Sequence, residues 1–187
     1  ITTNANGYTV LAAGNFNLNG TVTPPNLIEN AGNLIGPTTI DGALTWQAGN
    51  WNGVGQATVS AGSTLFISTG ADHDLANGVL INHGTVRWTG GRIRGGGSSS
   101  NPGTTCENHG LWEIAGDLTI NNDYGANGAV FHNDGVVRKS TGAVSGQATF
   151  ANGVLFRQTA GLLNVMAGAF VLQGGGQFTG GAVTGPG

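Results

Sequence analysis

The tripeptide Asn-X-Gly returns at a nearly constant interval along this chain: Asn82-His83-Gly84, Asn108-His109-Gly110 and Asn133-Asp134-Gly135, with an earlier copy at Asn30-Ala31-Gly32. The steps from Gly84 to Gly110 and from Gly110 to Gly135 are almost equal, and the step from Gly32 to Gly84 is twice as long, so it reads as two periods of one repeat. A turn of fixed type at a period of about 25 residues, each followed by a short apolar run, is the sequence mark of stacked structural repeats. The pattern predicts a β-solenoid.

Composition agrees. Glycine supplies 36 of 187 residues, and it can take the positive φ that tight corners demand. The apolar share of 39%, with all four tryptophans, is enough to build a core, so the chain is no disordered linker. Charged residues make up 8% and the net charge is −3, which argues against nucleic acid and against a polybasic membrane contact. No run approaches the roughly 20 apolar residues of a membrane span. Ile1 does not open a charged-then-apolar leader, which fits a processed or cut start. The single cysteine, Cys106, reads as a buried thiol, with intermolecular pairing as the alternative. Asn19-Gly20-Thr21 matches a glycosylation acceptor tripeptide, a pattern common by chance.

Helical periodicity is nearly absent, whereas short alternating runs are frequent. Thr64–Ser68, Thr85–Thr89, Leu111–Ala115 and Leu162–Met166 read as strands, separated by glycine-rich corners such as 90–91, 95–100, 125–128 and 174–176. Aligned on the turn glycine, Val86, Trp112, Val137 and, after Asn152-Gly153, Leu155 form an inward column. Arg87, Glu113 and Arg138 form an outward column of alternating sign, and Trp88, Ile114, Lys139 and Arg157 form a third that places two cations at inward positions. The shorter step from Gly135 to Gly153 suggests a change of coil shape. A second similarity links Trp46–Trp51 with Trp88–Ile93 and, more loosely, Phe178–Val183, as one corner repeated. Residues 1–40 are less regular, and Pro24-Pro25 and Pro37 remove N–H donors. They read as an entry coil with a protruding loop, ahead of regular coils over 41–187.

The runs Leu44–Trp51, Ala61–Ile67, Asn82–Gly91, Phe131–Ser140 and Gly161–Val165 resemble the repeats of large bacterial surface proteins, adhesin-like chains that form right-handed parallel β-helices. The resemblance covers roughly residues 40 to 183. It implies export and display at the cell surface or in an extracellular matrix, and it carries no catalytic residues to transfer.

Asn82, Asn108 and Asn133 read as a structural ladder of stacked amides that also tolerate a left-handed turn. His83 and His109 occupy equivalent turn positions with Asp134 next in line, a set able to contact a divalent metal but more simply exposed turn residues. Asp72-His73-Asp74 reads as a solvated loop between strands, with calcium or acid–base chemistry as the sharper alternative. Arg87, Arg92, Arg94, Arg138 and Lys139, with Trp88 and the neighbouring Trp46 and Trp51, are the candidate surface for an acidic glycan. An ice-binding grid would need Thr-X-Thr in register, and only Thr21-Val22-Thr23 fits.

The sequence therefore predicts one all-β domain: a right-handed parallel β-helix of roughly seven coils, without cofactor and without chemistry of its own. Its expected role is a structural or adhesive element, extracellular, whose end coils associate with other copies or continue in a longer chain, with surface glycans as further partners. The rival is a polysaccharide-binding module or lyase, in which Arg138 or Lys139 acts as base and Glu113 or Asp134 holds calcium.

Overall fold

A computed structural model describes residues 7–23, 26–53, 55–100 and 102–186. Every regular element among them is a β-strand, 25 in all. The strands fall into three parallel sheets of nine, eight and eight members, and each coil contributes one strand to each sheet in turn. The chain is a parallel β-helix.

The first sheet runs Thr9–Leu11, Leu27–Glu29, Ala43–Trp46, Thr64–Ile67, Thr85–Trp88, Leu111–Ala115, Val136–Thr141, Leu162–Val165 and Ala182–Thr184. All four strands expected from alternation lie in it. Its inward columns carry Leu27, Leu44, Leu65, Val86, Trp112, Val137 and Leu163 in unbroken register. These side chains are nearly or fully buried and form one core from coil to coil.

Coil length is not constant. The register partners Leu27 and Leu44 stand much closer in sequence than the equivalent partners Val86 and Trp112. This accommodates eight complete three-strand coils followed by Ala182–Thr184. The variation is concentrated at the corner between the second and third sheets. Two residues join Ile35 to Thr38 there, and nine join Arg94 to Thr104. The opening stretch up to Ile40 is correspondingly not an irregular entry: six three-residue strands between Thr9 and Ile40 make two narrow coils in register with the rest. Pro37 lies just before the strand Thr38–Ile40, and its carbonyl accepts the Gly20 N–H at 3.0 Å. Pro24-Pro25 and Ile1 lie outside the described residues.

The corner from the third sheet back to the first is tightest in the middle coils. Asn82, Asn108 and Asn133 each end a third-sheet strand, and the next strand begins after a two-residue link. The glycines there are required by axial stacking more than by backbone conformation. A Cβ at Gly110 would collide with the Gly84 carbonyl oxygen, one at Gly135 with that of Gly110, and one at Gly161 with that of Gly135. The next member of the series is thus Gly161, as far beyond Gly135 as Gly110 is beyond Gly84, so the period is kept there. Gly153 belongs to the corner between the second and third sheets, and Gly32 to that between the first and second. Leu155 and Arg157 therefore leave the columns assigned to them. Arg157 lies in register with His132 and Gln177 on the third sheet. Likewise Phe178–Val183 spans the third-to-first corner, unlike Trp46–Trp51 and Trp88–Ile93, which share the first-to-second one.

The asparagine ladder is buried rather than left-handed; among the described residues the non-glycine positions with positive φ are Thr69, Asn77 and Ala126. Asn82 Nδ2 donates to Asn108 Oδ1 at 2.7 Å, Asn108 Nδ2 to Asn133 Oδ1 at 2.8 Å, and Asn133 Nδ2 to Gln158 Oε1 at 3.2 Å. Each asparagine of the first two steps also donates forward, Asn82 to the Leu111 carbonyl (2.9 Å) and Asn108 to that of Val136 (3.0 Å). A second, more exposed ladder joins Asn15, Asn33 and Asn50 by the same amide-to-amide bonds, at 2.7 and 2.9 Å.

Burial decides what such a bond is worth, because a buried amide left without its partner bears its full desolvation cost. Asn108→Ala is expected to lower unfolding free energy by about 2–4 kcal/mol, and Asn33→Ala by under about 1 kcal/mol. Urea denaturation of the two variants checks the contrast, and equal losses would contradict it.

Candidate functional site

Of the residues expected to form a cationic surface, only Arg92 and Arg94 come together, both reaching the Asp72 carboxylate, at 2.8 and 3.5 Å. Arg87 and Arg138 project outward from the first sheet, Arg94 lies on the second, and Arg92 immediately precedes it. Trp46, Trp51 and Trp88 are buried in the core and offer no ring to a glycan. The indole N–H groups are used at the corners: Trp46 donates to the Gly49 carbonyl at 3.3 Å and Trp88 to that of Gly90 at 3.0 Å.

Most of the cations are instead tied to the neighbouring coil. Arg92 donates twice to Asp72 (2.9 and 2.8 Å), and Arg94 twice to Asp74 (2.6 and 2.8 Å). The fork of a guanidinium matches a carboxylate in this bidentate way. From the following coil Asp123 approaches Arg92 at 3.4 Å, and the Tyr124 hydroxyl donates to Asp74 Oδ2 at 2.7 Å beneath a ring that covers Arg94. Asp72-His73-Asp74 is accordingly no solvated loop: His73–Asp74 is a second-sheet strand that starts a brace across three coils. The bond from Arg92 holds the Asp72 carboxyl below its ordinary range. Arg87 pairs with Glu113 at 3.5 Å, as the alternating column implied, while Arg138 Nε is buried without a partner among the described residues.

Lys139 is inward, as the column alignment required, and its side chain is wholly enclosed. Its ammonium donates to Asp117 Oδ1 (2.9 Å) and to the carbonyls of Thr141 (2.9 Å) and Gly116 (3.3 Å). A register shift in the pairing just after Ile114 and Lys139 brings Thr141 opposite Ala115. Asp117 is held in turn by the Ala143 N–H, which with Lys139 lowers its carboxyl from the usual range. Three of the four groups named for a lyase thus have separate engagements: Lys139 with Asp117, Glu113 with Arg87, and Asp134 with His109 at 2.7 Å, while Arg138 stands apart from them.

His83 and His109 do meet, their exposed rings stacked at 4.9 Å. Among the described residues no group of three or more His, Cys, Asp or Glu is placed to hold a metal ion. Cys106 is a buried thiol, pushed up to about 12 by desolvation.

No family model, curated protein or solved structure matches the chain.

The most perturbed titratable cluster was invisible in the sequence and sits in the core. Glu29 shares the inward column of Trp46, is buried, and accepts a hydrogen bond from Trp51 Nε1 while its other oxygen has no partner among the described residues. Burial pushes its carboxyl up to about 8, against the opposing bond from Trp51. Trp51 stacks on Trp46 at 4.1 Å, and Trp46 meets the buried His73 ring edge-on at 5.0 Å. His73 Nε2 faces the carbonyls of Trp46 (3.0 Å) and Ser68 (3.1 Å), its Nδ1 is unpartnered among the described residues, and burial lowers its pKa. Two groups that are neutral when folded therefore flank a tryptophan pair. A charge at either would lie in a medium that solvates it poorly.

Their pH dependences oppose one another. Folded Glu29 keeps a proton that the unfolded chain releases above about 4.5, so its contribution falls as pH rises from there to about 8. His73 acts at the other end, because below pH 6.5 the unfolded chain gains a proton that the folded core resists. Glu29→Gln is expected to abolish most of the stability loss between neutral pH and pH 8 and to raise stability there by a few kcal/mol, at roughly 1.4 kcal/mol per unit. Urea midpoints measured across pH test this; an alkaline fall unchanged in the variant would contradict it.

Proposed function

We propose that the chain is a structural element of an exported bacterial surface protein or extracellular filament, a stiff rod segment that positions other parts. The observation that supports this best is where the polar side chains go. The buried amides, the Asp72–Arg92 and Asp74–Arg94 pairs, Lys139–Asp117, Arg87–Glu113 and the Arg157–Gln177 bond (2.9 Å) all join one coil to the next. Side chains that elsewhere carry chemistry here resist separation along the axis. Stacked at the usual strand spacing of about 4.8 Å, nine first-sheet strands give a rod of roughly 40 Å.

The strands Ala182–Thr184, Ala169–Leu172 and Gly176–Phe178 each pair on one side. An open parallel edge is a template for a further strand, and Phe178 and Val183 stand exposed on it. In the proposed role those edges take further coils, from a longer polypeptide or from another copy. The resemblance to adhesin-like repeats points the same way and carries the surface location with it.

In isolation the chain is then expected to associate as concentration rises, giving rods that lengthen by whole segments under the electron microscope. Val183→Lys, which sets a charge on the open edge, should shift the association midpoint at least ~10-fold upward without altering the denaturation midpoint. A monodisperse monomer at every concentration would overturn the edge-pairing role, and release of unsaturated sugars from an acidic polysaccharide would overturn the structural reading.

A further inference from the structure

Six Asn-Gly dipeptides occur in the chain, at 6, 19, 52, 77, 127 and 152, the first with its asparagine outside the described residues. In such a pair the glycine nitrogen can attack the asparagine side-chain carbonyl. A bond forms between that nitrogen and Cγ, the bond from Cγ to Nδ2 breaks, the nitrogen's proton passes to solvent base, and ammonia leaves. The resulting five-membered imide is opened by water at one carbonyl or the other, giving aspartate or isoaspartate. Asparagine is thermolabile for this reason. The reaction requires a glycine N–H that is not held in a hydrogen bond and a side chain free to swing onto it.

Four of the described pairs are restrained. Asn77 Oδ1 accepts the Ser99 N–H at 2.8 Å, and the Gly78 N–H donates to the Leu75 carbonyl at 3.1 Å. Asn52 Oδ1 accepts the Ala76 N–H at 2.6 Å. Asn127 Nδ2 is bonded to the Ser100 carbonyl, with Gly128 N–H directed at that of Gly125 (3.4 Å). Gly20 N–H is committed to the Pro37 carbonyl at 3.0 Å.

Asn152-Gly153 differs. It forms the exposed tip of the turn Ala151–Val154, closed by the Val154 N–H on the Ala151 carbonyl at 3.0 Å, with Gly153 at a φ of 81°. In a turn closed this way with positive φ at its third position, the central N–H points away from the closing bond. Neither that N–H nor the Asn152 side chain has a hydrogen-bond partner among the described residues. We infer that Asn152 is a site of spontaneous, site-specific modification, converted by the Gly153 nitrogen through an imide to aspartate and isoaspartate while the remaining folded coils protect the other four pairs. The isoaspartate product routes the backbone through the side chain and adds a negative charge. It does so where the Gly153 carbonyl accepts the Ala129 N–H at 2.8 Å, at the joint between adjacent third-sheet strands.

The test is to hold the folded protein in mildly alkaline buffer at body temperature and to map isoaspartate by peptide mass spectrometry over time, with a parallel sample in strong denaturant. Conversion at 152 is expected at least roughly tenfold faster than at 19, 52, 77 or 127 in the folded sample, because those sites must first open locally. In denaturant the five rates should converge. Asn152→Gln should lower ammonia release from the folded protein by the share that peptide mapping assigns to residue 152, and leave the urea midpoint unchanged. Equal rates at 152 and 77 in the folded protein, or an intact Asn152 under conditions that convert it in denaturant, would overturn the assignment.

Discussion

Close axial stacking of one coil directly on the next is the constraint from which the rest of this molecule follows. Parallel strands in adjacent coils hydrogen-bond along the axis, so whatever stands at one point of the perimeter is repeated about 4.8 Å away. At the tight corner this leaves no room for a Cβ, which is why Gly84, Gly110, Gly135 and Gly161 follow one another. The same spacing suits primary amides, since each donates to the next and accepts from the last, and it lets a buried polar column exist without orphaned groups. Aromatic rings obey it too: Phe131 and Phe156 stack nearly parallel with centroids 5.7 Å apart.

The electrostatics are subordinate to that geometry. A bidentate arginine–aspartate pair on the surface contributes modestly by itself. Here Asp72, Arg92 and Asp123 come from three successive coils, as do Asp74, Arg94 and Tyr124, so the pairs report registration between rungs. Lys139 shows how far the logic extends. A cation stands in the core because two backbone carbonyls and Asp117 surround its ammonium. Glu29, near the other end of the same column, is accommodated differently, by keeping its proton.

The fold, the inward column as far as Val137 and the amide ladder were legible because Asn82, Asn108 and Asn133 each open a corner of the same two-residue length. What misled the alignment was glycine itself. It punctuates all three corners, so Gly32 and Gly153 look like members of a series to which Gly161 belongs. Burial of Asp74 and His73 was not legible either, since a two-residue strand leaves no alternation to read. The glycan surface failed for a related reason: proximity in sequence, as in Arg138-Lys139, places side chains on opposite faces of a strand. Glu29 gave no signal because its environment is assembled by Trp46 and Trp51 from the next coil.

The unequal corners divide the perimeter into a rail and a margin. Along the rail, where the third sheet returns to the first between Asn82 and Val136, inserting a residue would disturb the amide contacts and the stacked carbonyls. Along the margin, between the second and third sheets, coils already differ widely in what they carry, two residues after Ile35 and nine after Arg94, with the strands on either side still aligned. Cargo such as an epitope, a binding peptide or a whole small domain can therefore be hung on that one side at the spacing of successive rungs, and the rail would carry it without change.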